Sequence, residues 1–345
     1  MGRTKMATTI KDIAKSLNIS EATVSLALNN NPLVNVKTKE RVLVAAKKLK
    51  YFPNMMAKGL ATNKSNTIGI IVPDINIVFY ANILRAVDAI VGKAGYSLLA
   101  AMSNNDPEAE ESIIQAFISK RIEGVLAVPT NKPTKFLTSY QKALKDYNIP
   151  LVYITSLYTI EGLKYVMGDI MQGTYMLVNH LIDLGHSNIV FIGGSRAVPT
   201  TALRIEGYTK AFDERRIAVQ EDNFIECDDI HYEQAVLATQ VLIGKRRDFT
   251  AICAMNDEMA LGVINTLQAS GMRVPEDVSV VGYDNTIFSK VSMVGITSID
   301  SDIEYTCTQS VDMLCKIINK EKLENANIMI KPTIIKRQSS GIVRK

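Results

Sequence analysis

The chain has no tryptophan, only three histidines and only four cysteines in 345 residues. Each shortage excludes something. Cys227, Cys253, Cys307 and Cys315 show no Cys-x-x-Cys spacing, and with His180, His186 and His231 they form no metal-ligand pattern. No metal site is expected, and scattered cysteines fit a reducing, cytoplasmic compartment. No stretch approaches the ~18 consecutive apolar residues of a membrane helix. The first six residues lead into no apolar run of signal-peptide length, so no export or membrane partner is expected. Gly-rich phosphate loops of the G-x-G-x-x-G and G-x-x-x-x-G-K-[ST] kinds are missing, as is a G-x-S-x-G elbow. Neither a cofactor nor catalysis is expected.

What is there is unevenly spread. The net charge is +4, but residues 1–67 hold 12 Lys and Arg against 3 Asp and Glu, a net of +9. The other 278 residues carry 27 basic and 32 acidic side chains, a net of −5. A basic head on a mildly acidic body points to a polyanionic partner for the head.

The head is apolar-periodic as well as basic. Thr9 caps a helix with Asp12 at its third position, and Ile10, Ile13, Ala14 and Leu17 follow on one face. Asn18-Ile19-Ser20 breaks the pattern, and Ser20 caps a second helix through Leu28. Residues 29–35, with three asparagines in a row and Pro32, read as loop. A third helix is expected from about Thr38 to near Tyr51, before Pro53. Two short helices joined tightly and crossed by a third make a helix-turn-helix unit, whose second helix enters the major groove. Here that helix presents small polar groups, Ser20, Thr23 and Ser25.

The segments 9–14, 19–29, 34–41 and 51–54 together resemble the head of the lactose-repressor family (LacI/GalR), and are similar to that of its catabolite-control-protein subgroup. The resemblance implies DNA contacts from Thr9, Lys11, Ser20, Glu21, Ala22, Thr23, Ser25, Leu26, Asn29 and Asn35. It also implies that 54–62 is a hinge helix, with Asn54, Ala57 and Leu60 at the minor groove and Leu60 as the wedge. Nine residues are too few for a stable isolated helix in water, and Gly59 weakens it by about another 1 kcal/mol. The hinge is expected to order only on its partner. One departure matters. Leu26 stands where the family usually has an arginine, so the bidentate guanine contact is lost and only apolar base edges remain for it.

From residue 68 the texture becomes strand-helix alternation. Apolar runs at 68–72, 97–102, 125–128, 151–154, 188–192, 251–254 and 278–282 alternate with helical stretches at 79–94, 107–120, 134–147, 203–215, 233–244 and 257–270. Such continuous runs read as parallel strands buried on both faces. About ten alternations mean a doubly wound architecture split into two lobes, with the ligand at the carboxyl ends of the strands. The loops at those ends are rich in Asn, Asp, Ser and Thr, among them Ser103-Asn104-Asn105-Asp106 and Tyr283-Asp284-Asn285.

The stretches 66–74, 180–186, 191–194, 204–208, 256–262 and 274–284 resemble the periplasmic-binding-protein-like core of the same family, so the likeness spans nearly the whole chain. It implies effector contacts at Arg204, Asn256 and Asp284, with Asn76 and Phe79 in a first-lobe loop and Ser103 and Met171 completing the set. The chemistry fits: Arg204 offers a rigid fork of donors, Asp284 accepts, and Asn256 does both. Against the family pattern, Ile77-Val78, Thr155-Ser156, Ile170-Met171 and Ile230 make the cleft more aliphatic.

The expected organisation is an all-α helix-turn-helix head (8–53), a hinge and linker (54–66), and an α/β core of two doubly wound parallel-sheet lobes (67–345). Lobe one is expected at about 67–166 and 298–327, lobe two at about 167–297 and 328–345. The expected function is that of a cytoplasmic transcriptional regulator, by the resemblance a repressor, that acts as a homodimer. Its expected partners are a pseudo-palindromic double-stranded DNA operator and a carbohydrate-like small-molecule effector. The resemblance leaves open regulation by a phosphorylated partner protein. A sugar-binding receptor would have the same body but no basic head.

Overall fold

The computed structural model describes residues 8–51, 65–130, 137–156 and 163–344. Asn54, Ala57 and Leu60 lie outside the described residues. Contacts divide the chain into Met1–Ser65 and Asn66–Lys345, and each unit is described by itself.

In the first unit, α1 (Ile10–Leu17) begins with a capping box in which Thr9 and Asp12 satisfy each other's exposed backbone N–H groups. It ends at Asn18, in the left-handed conformation at φ 53°, which turns the chain into α2 (Glu21–Leu28). Ser20 caps α2, accepting the N–H of Thr23 at 3.1 Å. The third helix, α3 (Val36–Lys48), starts two residues before the expected Thr38. The reason is that Asn35 is its cap: Asn35 Oδ1 accepts the Thr38 N–H at 2.8 Å, which places Thr38 inside the first turn. Ile13, Val24 and Val42, one from each helix, are fully buried and centre the apolar cluster.

The second unit holds two six-stranded sheets. The first contains β1 (Thr67–Val72), β2 (Ser97–Met102), β3 (Gly124–Ala127), β4 (Leu151–Ile154), β5 (Tyr165–Gly168) and β11 (Asn327–Ile330), in the order β11-β5-β4-β3-β1-β2. The second contains β6 (Ile189–Gly193), β7 (Phe224–Glu226), β8 (Ala251–Ala254), β9 (Ser279–Tyr283), β10 (Thr297–Asp300) and β12 (Thr333–Ile335), in the order β12-β10-β9-β8-β6-β7. Neighbours run parallel except β10 and β12. The central strands β3, β6, β8 and β9 are buried throughout, as continuous apolar runs require when helices cover both faces.

The helices that matter below are α4 (Val78–Lys93), α7 (Ile170–Asp183), α8 (Pro199–Glu214), α9 (Tyr232–Lys245), α10 (Asp257–Ala269) and α12 (Ile303–Ile318). Helix α8 begins at Pro199, one turn before the expected 203, with proline in the first turn, where no N–H is needed. The chain crosses between the sheets three times. Two crossings fall a few residues later than 298 and 328, because Thr297–Asp300 pairs with β9 and Asn327–Ile330 with β5 before the chain leaves. His180 and His186 have structural partners. His180 meets Ser340 at 2.9 Å, and His186 meets Thr250 and the Gly341 carbonyl at 2.9 and 3.0 Å. Among the described residues no helix is long and apolar enough to cross a membrane.

Candidate functional site

A cleft, partly open to solvent, lies between the two lobes at the carboxyl ends of their strands. That is the position the doubly wound fold reserves for ligands. The first lobe contributes Ile77, Phe79 and Tyr80 around the start of α4, and Val128, Thr155 and Ser156 after β3 and β4. The second contributes Thr200 and Arg204 from α8, Met255 and Asn256 after β8, and Tyr283 and Asp284 at the end of β9.

Arg204 supplies the positive charge among these. It is buried, at 7% exposure, and its guanidinium lies 4.6 Å above the Tyr283 ring. One Nη donates to the Thr200 carbonyl in its own helix, 3.1 Å away. Its Nε has no hydrogen-bond partner among the described residues. A buried donor left unpaired is costly, so this one is poised for an acceptor brought from outside.

Asp284 supplies the opposite charge. Burial raises its carboxyl to about 6, the Arg204 guanidinium pulling it down and Asp300 pushing it up. Its backbone sits at φ 90°, strained for a residue with a side chain, and such strain gathers at functional sites. Arg204 and Asp284 make no direct ion pair among the described residues. A ligand that accepts from one and donates to the other fits between them.

Asn256 is less free than its residue type suggests. Its Oδ1 caps α10 by accepting the Met259 N–H at 2.8 Å, and its Nδ2 donates to the Ile230 carbonyl at 3.0 Å. Beside it, Asp257 is fully buried and accepts from Ser298 Oγ at 2.6 Å and from the Thr286 N–H and hydroxyl at 2.6 and 3.1 Å. Burial, chiefly, raises Asp257 to about 7. This network fixes the loop that carries Asp284.

Of the seven effector positions expected from sequence, Phe79, Arg204, Asn256 and Asp284 come together in the cleft, and Asn76, Ser103 and Met171 are not among its lining residues. Asn76 is exposed in the loop, with its N–H on Asp74 Oδ1. Ser103 is fully buried beyond the edge strand β2. Met171 turns its backbone carbonyl towards Gly207 of α8, and its neighbour Ile170 takes the place in the cleft. Sequence reading missed Tyr80, Thr200, Met255 and, from α12, Ile303 and Thr306. Thr200 stands one helical turn before Arg204, a spacing that could have found it.

In the head, Lys11, Ser20, Glu21, Ala22, Asn29 and Asn35 are exposed, as is Thr9. Thr23 and Ser25 are half-buried, and Thr23 shares a 2.8 Å hydrogen bond with Ser20. Leu26 is also half-buried and packs on the head's apolar cluster. Part of that side chain therefore serves the head itself.

A basic three-helix head joined to a core with an interlobe ligand cleft has the organisation of a DNA-binding regulatory protein. Residues 9–54 match the model of bacterial regulatory proteins of the lacI family, and residues 178–340 match the periplasmic binding protein-like domain. The chain is 32% identical to catabolite control protein A of Priestia megaterium, over 97% of this chain and all of that protein. It is 30% identical to the transcriptional repressor PurR of Histophilus somni, over 96% of this chain and 98% of that one. Among solved structures it superposes with TM-score 0.86 and 25% identity on the Lac repressor dimer bound to operator and an anti-inducer, covering 97% and 99% of the two chains. The complex of the regulator CelR with cellobiose aligns with TM-score 0.72 and 26% identity, covering 96% and 99%. The chain belongs to the lacI family of bacterial transcriptional regulators.

Proposed function

We propose that this chain is a cytoplasmic, homodimeric repressor whose affinity for a pseudo-palindromic operator is set by a small molecule held between the two lobes. One observation carries the effector reading: the buried Arg204, with an unpaired Nε, lines the same wall of the cleft as Asp284 without bonding to it. A ligand with neighbouring hydrogen-bond donors and acceptors, such as the hydroxyls of a carbohydrate-like molecule, fits that pair. The aliphatic walls at Ile77, Ile170 and Ile230 suit a ligand with an apolar face or substituent. The complex of the relative CelR with cellobiose supports a carbohydrate-like ligand.

In the head, α2 enters the major groove, with Thr9, Lys11 and the residues from Ser20 to Asn29 at the DNA and Asn35 flanking them. Asn54, Ala57 and Leu60 reach the minor groove, where Leu60 opens a base step. One head makes too few contacts for a specific site, so two heads read two half-sites. The effector changes the arrangement of the lobes, and hence the spacing of the heads, with a coupling free energy of about 1–3 kcal/mol.

The test has three arms. Gel-shift titration against salt with genomic fragments should select a palindromic site, and no binding at low salt would end the regulator reading. Operator selection should return a half-site without the guanine that an arginine at position 26 would read; recovery of that guanine would refute the role given to Leu26. Thermal-shift screening of sugars, sugar phosphates and nucleobases should yield a ligand. A screen with no ligand, alongside intact operator binding, would turn the effector reading towards a partner protein.

A further inference from the structure

The crossing from β10 into α12 carries the chain from the second lobe to the first, and it runs along the cleft. Ser301, Ile303 and Thr306 of this crossing line the cleft together with Asp284. Both places hold backbone in the left-handed region. Asp284 and Asn285 sit at φ 90° and 47°, and Asp302, which caps α12, sits at φ 47°. Residues with side chains stay there only where their neighbours hold them, and they gather at switch segments.

One side chain joins the two places. Asn285 Nδ2 donates to Asp300 Oδ2 at 2.8 Å, and Asp300 Oδ1 accepts the Asp302 N–H at 2.8 Å. Asp300 thus holds the loop of Asp284 with one oxygen and the crossing with the other. Both bonds end on a carboxylate, the stronger kind of acceptor. The far side of the Asn285 amide is fixed by Arg337, in the segment after β12. Its Nη2 donates to Asn285 Oδ1 at 2.6 Å, and its Nη1 to the Ile296 carbonyl at 2.7 Å. Only one orientation of the amide satisfies both neighbours, because its oxygen meets a donor and its nitrogen an acceptor.

The contacts continue at each end. The Asp284 N–H donates to the Ile299 carbonyl at 2.9 Å, and the Asn285 N–H to Ser298 Oγ at 3.0 Å. Beyond the crossing, Asp302 Oδ1 accepts the Tyr305 N–H at 3.0 Å in the first turn of α12. Cys307, Val311 and Leu314 then bury that helix in the core of the first lobe.

We propose that Asn285 is a positioning residue of the effector response: through Asp300 it ties the loop that carries Asp284 to the crossing that enters the first lobe. A molecule that draws on Asp284 therefore also sets the arrangement of the lobes. This rests on the cleft being the effector site. The link depends on matched polarity, so it can be broken and then remade. In Asp300→Asn an amide N–H faces a donor whichever way it turns, either Asn285 Nδ2 or the Asp302 N–H. Asn285→Asp sets two carboxylates against each other. The two changes together turn the bond round. The new amide at position 300 donates to position 285 and keeps an oxygen for the Asp302 N–H, while the second oxygen at position 285 takes Arg337.

The experiment uses the full chain without effector or DNA. Spin labels replace exposed Lys93 and Asp213, near the far ends of α4 in the first lobe and α8 in the second. Dilution with unlabelled chain leaves the distance within one chain as the reading. Backbone hydrogen exchange is followed in parallel on residues 284–286 and 301–306. Asp300→Asn and Asn285→Asp should each displace or broaden the interlobe distance distribution. Each should also speed exchange in both segments by about tenfold or more, the worth of one hydrogen bond to a charged group. The double variant should return both readings most of the way to wild type.

Single variants that speed exchange at 284–286 but leave the interlobe distribution unmoved would overturn the proposal, because a brace of that loop alone does the same. A double variant no nearer to wild type than its singles would overturn it equally. Should a single variant not fold, Asn285→Gly takes its place, since glycine suits the left-handed backbone and only the amide is removed. A chain that shows the link but takes up neither a ligand nor an operator would count against the effector reading alone.

Discussion

The two lobes are wound alike and furnished differently. Both sheets place their second strand at one edge and then run first, third, fourth and fifth, with a late strand closing the far edge. They part at that late strand, which is parallel in the first lobe and antiparallel in the second. They part again at the cleft. The second lobe brings the guanidinium of Arg204 and the carboxylate of Asp284, and the first brings aromatic and aliphatic side chains with the hydroxyls of Thr155 and Ser156. A repeated scaffold therefore positions the site, while the residues chosen at the strand ends and on the helices that follow decide its chemistry.

That contrast can be tested by substitution. The largest effect is expected from Gly207→Ala in the second lobe. A Cβ there would collide with the carbonyl oxygen of Met171, where α7 and α8 pack backbone to backbone. Overpacking against main chain should cost about 3 kcal/mol or more, read as a lower denaturation midpoint. An unchanged midpoint would show that the two helices can part. Next, Arg204→Ala should weaken the effector found by screening by about 2–3 kcal/mol in calorimetry, the range for losing a charged hydrogen bond. Phe79→Ala in the first lobe should cost less, about 1 kcal/mol, because it loses contact area only. Equal losses would erase the division of labour between the lobes.

Asp257→Asn tests the network behind Asp284 through pH. The folded-state value of Asp257, about 7, lies above the ordinary carboxylate value of about 3.9. Its stabilising contribution is fully present below about pH 4 and is lost as pH rises through about 7. Melting temperatures measured from pH 4 to pH 8 should show the Asp257→Asn variant gaining on wild type across that window, by a few kcal/mol at most. A constant difference would mean that Asp257 is already ionised at low pH. The smallest effect is expected at Gly92→Ala in α4 of the first lobe. A Cβ there meets nothing within 4 Å, so the change should stabilise by about 0.5–1 kcal/mol.

Much of this was legible in the sequence. The head's helices announce themselves through Thr9, Ser20 and the apolar positions Ile13, Val24 and Val42, because capping and helical periodicity are local. The central strands are equally plain as continuous runs such as Ile189 to Gly193. What was hidden depends on chain crossings or on a single step around a helix. Helix α12 joins the first lobe from a distant part of the sequence, so Ile303 and Thr306 in the cleft carried no local signal. Ile170 and Met171 are adjacent in sequence but about 100° apart on their helix, and only Ile170 lines the cleft. Asn256 illustrates a different limit. Its residue type promised ligand contacts, but capping α10 and holding Ile230 occupy much of its amide.

The threefold crossing of the chain also bears on how the protein is made. The first lobe receives α12, with its buried Cys307, Val311 and Leu314, and its edge strand β11 only from residues after 302. During synthesis the amino-terminal lobe must therefore wait, with one edge unpaired and part of its apolar surface uncovered, until nearly the whole polypeptide has emerged. The lobe begun first is completed almost last, and over that interval an exposed strand edge is the nascent chain's weak point for misassembly.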